Sequence, residues 1–174
     1  TSCEDAESKN MKWFPYNKGG EFRKWYGNND YVVNWENDGF EIKHFTDERG
    51  KLRSRPQNLQ YYFRECLSWS LVSSSVAAFR YKQKGFIFDT AGMSCFSNSN
   101  LLYLLGLTNS KYAMEVLKIV APTINYPCGD IANIPVKIAN KEVVESIVGN
   151  NVDLSKSDWD SFETSWDFKK HPLI

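Results

Sequence analysis

The sequence predicts an α+β fold, with a mixed, largely antiparallel sheet and helices packed on it. Two patterns and the length carry that expectation. Tyr31-Val32-Val33-Asn34-Trp35 alternates in strand fashion, Asn37-Asp38-Gly39 supplies a tight turn, and Phe40 to Phe45 returns as the second strand of a hairpin. Along Leu101 to Ile119, apolar residues at 101, 102, 104, 105 and 107, and again at 113, 114, 116 and 117, recur at the spacing of one long helix. A length of 174 residues suits a single core.

The other elements follow in chain order. Residues 1–11 are polar, acidic and aperiodic, and read as a disordered lead. Lys12 to Gly20 mixes aromatics, lysines and two glycines around Pro15, which bars a helix interior and leaves a loop or strand edge. Thr46 to Asn58 is a basic loop carrying Arg49, Lys51, Arg53 and Arg55 ahead of Pro56. Tyr61-Tyr62-Phe63 and Leu67 to Val72 are short strand candidates, and Gly85 to Asp89 reads as a buried strand. Pro122 to Asp130, with two prolines and a glycine, reads as non-helical. Ile131, Ile134, Val136 and Ile138 suggest a further strand, and Lys141 to Val148 a short helix. Ser155 and Asp158 stand at capping-box spacing before Trp159, Phe162 and Trp166, one face of a final helix. The resulting division is a lead over 1–11, a main domain over 12–150 and a C-terminal helix over 151–174 that leads to a missing region.

Composition narrows the function classes. No window of roughly 18 apolar residues spans a membrane, and the first thirty residues lack a signal-peptide pattern, so a cytoplasmic protein without membrane contact is expected. Cys3, Cys66, Cys95 and Cys128 are far apart, and His44 and His171 are remote from them, which speaks against a metal cluster or a disulfide framework. Formal net charge is zero, yet Lys9 to Lys84 holds 14 Lys and Arg against 8 Asp and Glu, while Met93 to Ile174 holds 7 against 9. The basic half is therefore the candidate contact surface for a polyanion. Eleven Phe, nine Tyr and six Trp are an aromatic excess that core filling accounts for first and that suits base stacking as well. The chain has no nucleophile elbow, phosphate-cradling glycine loop, zinc-protease helix or EF-hand loop, and Gly19-Gly20 reads as a turn. Nothing supports an independent active site.

Basic residues interleaved with aromatics and amides stand out instead. Lys18, Arg23, Lys24, Arg53, Arg55, Arg80, Lys82 and Lys84 are candidates for phosphate contacts. Trp25, Tyr26, Asn58, Asn125 and Tyr126 are candidates for base edges or stacking, because Asn pairs bidentately with adenine and aromatic rings stack on bases.

At Trp13-Phe14-Pro15-Tyr16-Asn17-Lys18-Gly19-Gly20, Arg23-Lys24-Trp25-Tyr26-Gly27-Asn28 and Asn34-Trp35-Glu36-Asn37-Asp38-Gly39, the chain resembles the post-catalytic region of the PglX-type adenine-specific DNA methyltransferases of BREX phage-defence systems, relatives of type II restriction enzymes with fused methylase activity. A second match runs from Gly85-Phe86-Ile87-Phe88-Asp89 through Leu104-Leu105-Gly106-Leu107-Thr108-Asn109-Ser110 to Ile131-Ala132-Asn133-Ile134-Pro135. It is similar to the specificity domain of such methylases. The resemblance implies a target-recognition domain that binds double-stranded DNA beside the catalytic methyltransferase domain of the same parent protein, with S-adenosylmethionine as the parent's cofactor and none in this chain. Family members act through an N/D-P-P-Y/F motif that holds a flipped adenine. No Pro-Pro pair occurs here, and Asn125-Tyr126-Pro127 has the wrong order. The alternative is a protein-interaction module that docks on a partner defence subunit through Trp159, Phe162 and Trp166.

Overall fold

The computed structural model describes residues 11–74, 76–171 and 173–174. All of the expected lead except Met11 therefore lies outside the described residues. Among those residues the chain forms two three-stranded sheets and five helices, an α+β arrangement.

The first sheet has β1 (Trp13–Asn17) at its centre, β2 (Tyr31–Asn34) antiparallel on one side and β5 (Ile87–Phe88) parallel on the other. Pro15 sits in this central strand without breaking a ladder, because β5 pairs only with Tyr16 and Asn17. The hairpin expected over 31–45 does not form. Asn37, Asp38 and Gly39 all take left-handed backbone angles, with φ of 50°, 56° and 68°, one more than a two-residue hairpin turn uses. Gly39 lies flat on the Trp35 indole, where a Cβ would come within 2.7 Å of the ring. These three residues lie inside α1 (Glu36–Lys43) and kink it after its first residue, the chain winding on as regular helix from Phe40, and β2 pairs with β1. A short finger follows, closed by the Thr46–Leu52 bridge and by Asp47, whose Oδ1 accepts from the Arg49 and Lys51 amides. Leu59–Tyr61 is a turn of 3₁₀ helix rather than the expected strand, since Asn58 and Phe63 on either side are left-handed at φ 58° and 63°.

The second sheet is antiparallel throughout, with β3 (Cys66–Ser70) between β4 (Arg80–Lys82) and β6 (Gly92–Cys95). The helix expected over 101–119 is two helices, α2 (Leu101–Thr108) and α3 (Lys111–Val120). Asn109 and Ser110 cause the break. The buried Asn109 amide donates to the Phe79 carbonyl at 2.8 Å and accepts from the Phe79 N–H at 3.1 Å, and Ser110 Oγ caps α3 by accepting from the Ala113 amide. Pro127 is no bar to α4 (Cys128–Ala132), because it occupies the cap where its missing N–H costs nothing. The strand expected from Ile131 to Ile138 is absent: Ile134 is buried but Val136 and Ile138 are exposed, so the alternation has no covered face. The last helix, α5 (Lys141–Trp159), starts where expected but runs unbroken through 150. Ser155 and Asp158 sit in its final turns and bond to the loop after β1 instead of capping a new helix. Residues 160–168 form turns, with Phe162 exposed and Trp159 and Trp166 half-buried.

Trp69 and Leu67 of the second sheet and Phe79 just before β4 meet Leu105, Ala113, Leu117, Val148 and Val152 of the helices in the main core. Phe14, Trp35, Tyr62 and Ile87 form a smaller aromatic core on the first sheet. The sheets join at Asn17, whose Nδ2 donates to Ser68 Oγ at 2.6 Å and the Gly92 carbonyl at 3.1 Å. Only glycine fits at 92, where a Cβ would collide with the Asn17 carbonyl. None of the described helices is long and apolar enough to cross a membrane.

Candidate nucleic-acid interface

Two buried cations organise the loop between β1 and β2. Arg80 and Lys82 share one side of β4, as alternate strand residues must, and each is 1% exposed. The loop from Gly19 to Asp30 crosses that side. Arg80 donates to the Arg23 carbonyl at 3.2 Å, the Glu21 carbonyl at 3.5 Å and Ser70 Oγ at 3.1 Å. Burial brings its pKa down to about 10, which leaves it charged at neutral pH. Lys82 Nζ donates to the Gly27 and Asn28 carbonyls, both at 2.9 Å, and to Asn29 Oδ1. The expected phosphate role of these two side chains is thereby corrected, since both are directed at internal oxygens.

The same loop reaches the helices. Arg23 pairs with Asp158 and lies 5.0 Å over the Trp159 ring, and Lys24 Nζ donates to the Asn109 carbonyl at the end of α2 at 3.0 Å. Tyr26 is buried, with the Lys156 ammonium 4.9 Å above its ring. Burial pulls that ammonium down, but hydrogen bonds to Asp160, Asp167 and Tyr26 leave it raised overall. Trp25 is half-buried and its backbone pairs with Phe79 and Tyr81. Tyr126 is buried too, and its carbonyl accepts from Trp69 Nε1 at 2.7 Å. Arg23, Lys24, Tyr26 and Tyr126 therefore tie elements together and do not form an open reading surface.

The exposed members of the expected set are Lys18, Arg53, Arg55, Asn58, Lys84 and Asn125. Arg55 and Asn58 stand at the mouth of a cleft of about 540 Å³ in front of the first sheet. Trp35, Tyr62 and Phe88 line it, and Tyr61 and Phe96 lie stacked 4.8 Å apart along it. Asp89, at the end of β5, also faces the cleft. Its Oδ1 accepts from the Ala91 and Gly92 amides at 2.8 and 3.1 Å, and its Oδ2 accepts from the Tyr16 hydroxyl at 2.9 Å. Burial, the hydrogen bond to Asp89 and its charge hold the Tyr16 phenol well above its ordinary pKa, and burial followed by Asp89 raises Tyr62.

Three cations lie beside residues that line the cleft. Lys18 lies 5.9 Å over the Tyr16 ring, Arg55 lines the mouth, and Arg64 lies 5.4 Å over Tyr61 and 5.8 Å over Phe96. The exposed cations Arg49, Lys51 and Arg53 lead from the finger to Arg55, two residues apart throughout. Arg49 and Lys51 stand on either side of the left-handed Gly50 in the finger's turn, and Arg53 Nε lies 3.7 Å from Asp47 Oδ2. Asp89, Tyr16, Tyr61 and Phe96 are the residues that sequence reasoning passed over. The Asp89-Thr90-Ala91-Gly92 turn after a strand is a local signal for Asp89, whereas the pairing of Tyr61 with Phe96 is visible only in three dimensions.

No protein-family model matches the chain. Two curated proteins do. The chain is 39% identical over 169 residues to the adenine-specific methyltransferase PglX of Lacticaseibacillus casei (strain Zhang), a match covering 95% of this chain and 14% of that protein. It is 40% identical over 175 residues to the adenine-specific methyltransferase BrxX of Escherichia coli O9:H4 (strain HS), covering 98% of this chain and again 14% of the relative.

Proposed function

We propose that this chain, homologous over nearly its whole length to one segment of the PglX and BrxX adenine-specific methyltransferases, is the part of such an enzyme that binds duplex DNA and selects its sequence. The observation that carries the reading is the exposed cationic run Arg49, Lys51, Arg53 and Arg55, which ends at the mouth of an aromatic cleft with Gln57 and Asn58 beside it. The cations hold phosphates and set the register. Gln57 and Asn58 have the side-chain amides that read an adenine edge. Asn125, exposed beside the Val72 bridge, and Lys84 are further exposed candidates.

Methyl transfer and S-adenosylmethionine belong, in this reading, to the remainder of the parent protein. The nearest string to a base-holding motif, Asn125-Tyr126-Pro127, has its ring buried in the main core, where it cannot stack on a base. Phage defence enters through the resemblance to the BREX enzymes.

Charge reversal of Arg53 and Arg55 together tests the reading. Duplex affinity at low salt is expected to fall at least about tenfold in the double variant, because two phosphate contacts become repulsions. Unchanged affinity would favour the protein-docking module, for which the exposed Phe162 and the apolar Val143, Ile147 and Leu154 on α5 are the available surface.

A further inference from the structure

We infer that the cleft at the end of β5 is a binding site for one unpaired nucleobase bearing an exocyclic amine, with Asp89 as the residue that selects it. This deepens the nucleic-acid reading and rests on it for the ligand class. The walls supply the first half of the argument. A volume of about 540 Å³ lies in the range of small-molecule sites, and the half-buried Tyr61, Phe88 and Phe96, backed by the buried Trp35 and Tyr62, offer the aromatic surface on which a planar heterocycle stacks.

Asp89 supplies the second half. A carboxylate has about four lone-pair positions and no proton to donate. Three are taken by the Ala91 amide, the Gly92 amide and the Tyr16 hydroxyl, which also fix the direction of the group. What remains is one acceptor at the wall of an aromatic slot. The exocyclic amine of cytosine, adenine or guanine donates to it, as carboxylates accept from the cytosine amine in DNA grooves. Thymine and uracil have no exocyclic amine, and their one donor on the pairing edge, the ring N3–H, lies between two carbonyl oxygens that the carboxylate repels. Arg55, exposed in the cleft lining, is placed for the phosphate that accompanies the base, with Lys18 beside the Tyr16 ring that also lines it.

The test is a titration of the 174-residue chain with dCMP, dAMP and dTMP, followed by tryptophan emission, since Trp35 lines the cleft. The amino nucleotides are expected to bind at least about tenfold tighter than dTMP. Asp89→Asn, whose amide both donates and accepts, is expected to reduce that preference to within about twofold. Phe96→Ala is expected to weaken all three alike and leave the preference intact. Equal binding of the three, absence of binding at millimolar concentration, or a preference that survives Asp89→Asn overturns the assignment. A duplex with one unpaired cytosine, set against a fully paired one, separates the sources: tighter binding of the first supports a base within a strand, and equal binding alongside the nucleotide preference supports a free nucleotide. Duplex binding without any nucleotide preference sinks the cleft assignment and leaves the DNA reading standing. Nucleotide preference without duplex binding does the reverse.

Discussion

Replacing Lys82 by Met tests whether a buried ammonium holds the loop from Gly19 to Asp30 in place. Methionine keeps most of the stem volume and removes three donated hydrogen bonds, two to the carbonyls of Gly27 and Asn28 and one to Asn29 Oδ1. Each acceptor left dry costs about 1–3 kcal/mol, and the wild type's own cost of burying a charge is recovered in part. The net expectation is a loss of about 3 kcal/mol, a large share of the 5–15 kcal/mol typical of a domain. With an m-value of about 2 kcal/mol/M, the urea midpoint falls by about 1.5 M. Lys84→Met, two residues on and exposed, is the control and stays within about 0.5 kcal/mol of wild type. A Lys82→Met protein as stable as the control would refute the claim that this cation organises the loop.

Gly92→Ala drives a methyl group into the Asn17 carbonyl at the joint of the two sheets, and a loss of about 3 kcal/mol in urea unfolding is expected. Thiol labelling at pH 8 reaches the exposed Cys128 well before Cys66, which is 3% exposed with its thiol pushed up to about 11 by burial; Cys66 labels only on unfolding. Stability also falls as pH rises above about 9. Cys66, Tyr16 and Tyr81 all have folded-state pKa values raised above those of a free thiol and free phenols, so the folded chain holds more protons there than the unfolded one and the slope of unfolding free energy with pH is negative. Arg80, lowered from 12.5 to about 10, acts in the opposite direction only beyond that value. Urea midpoints at pH 8, 9 and 10 read the effect, and a flat or rising series contradicts it.

The sequence was readable where short-range chemistry decides structure. The strand at Cys66–Ser70, the start of α5 and the α+β class follow from pattern alone. Arg53, Arg55 and Asn58 lie exposed in a polar loop with Pro56 among them, and the sequence marks that loop. Asn109-Ser110 carried a stop-and-restart signal that the continuous apolar run concealed, since Ser is a strong helix cap and Asn109 is bound to the backbone of Phe79 thirty residues away. Asn37-Asp38-Gly39 misled because Asp-Gly favours hairpins, whereas three left-handed residues in succession beneath an indole carry the chain into a helix. Arg80 and Lys82 were the hardest to read. Lysine and arginine are almost never fully buried, and nothing near β4 announces that carbonyls from residues 21 to 28 will be waiting there.

The most direct measurement of the central claim is a fluorescence-anisotropy titration of the chain with mixed-sequence duplex DNA at several salt concentrations. Phosphate contacts from Lys18, Arg49, Lys51, Arg53 and Arg55 predict that log K falls with log salt at a slope of about −4 to −5. A folded sample whose anisotropy stays flat at low salt, or whose affinity ignores salt, would contradict the account.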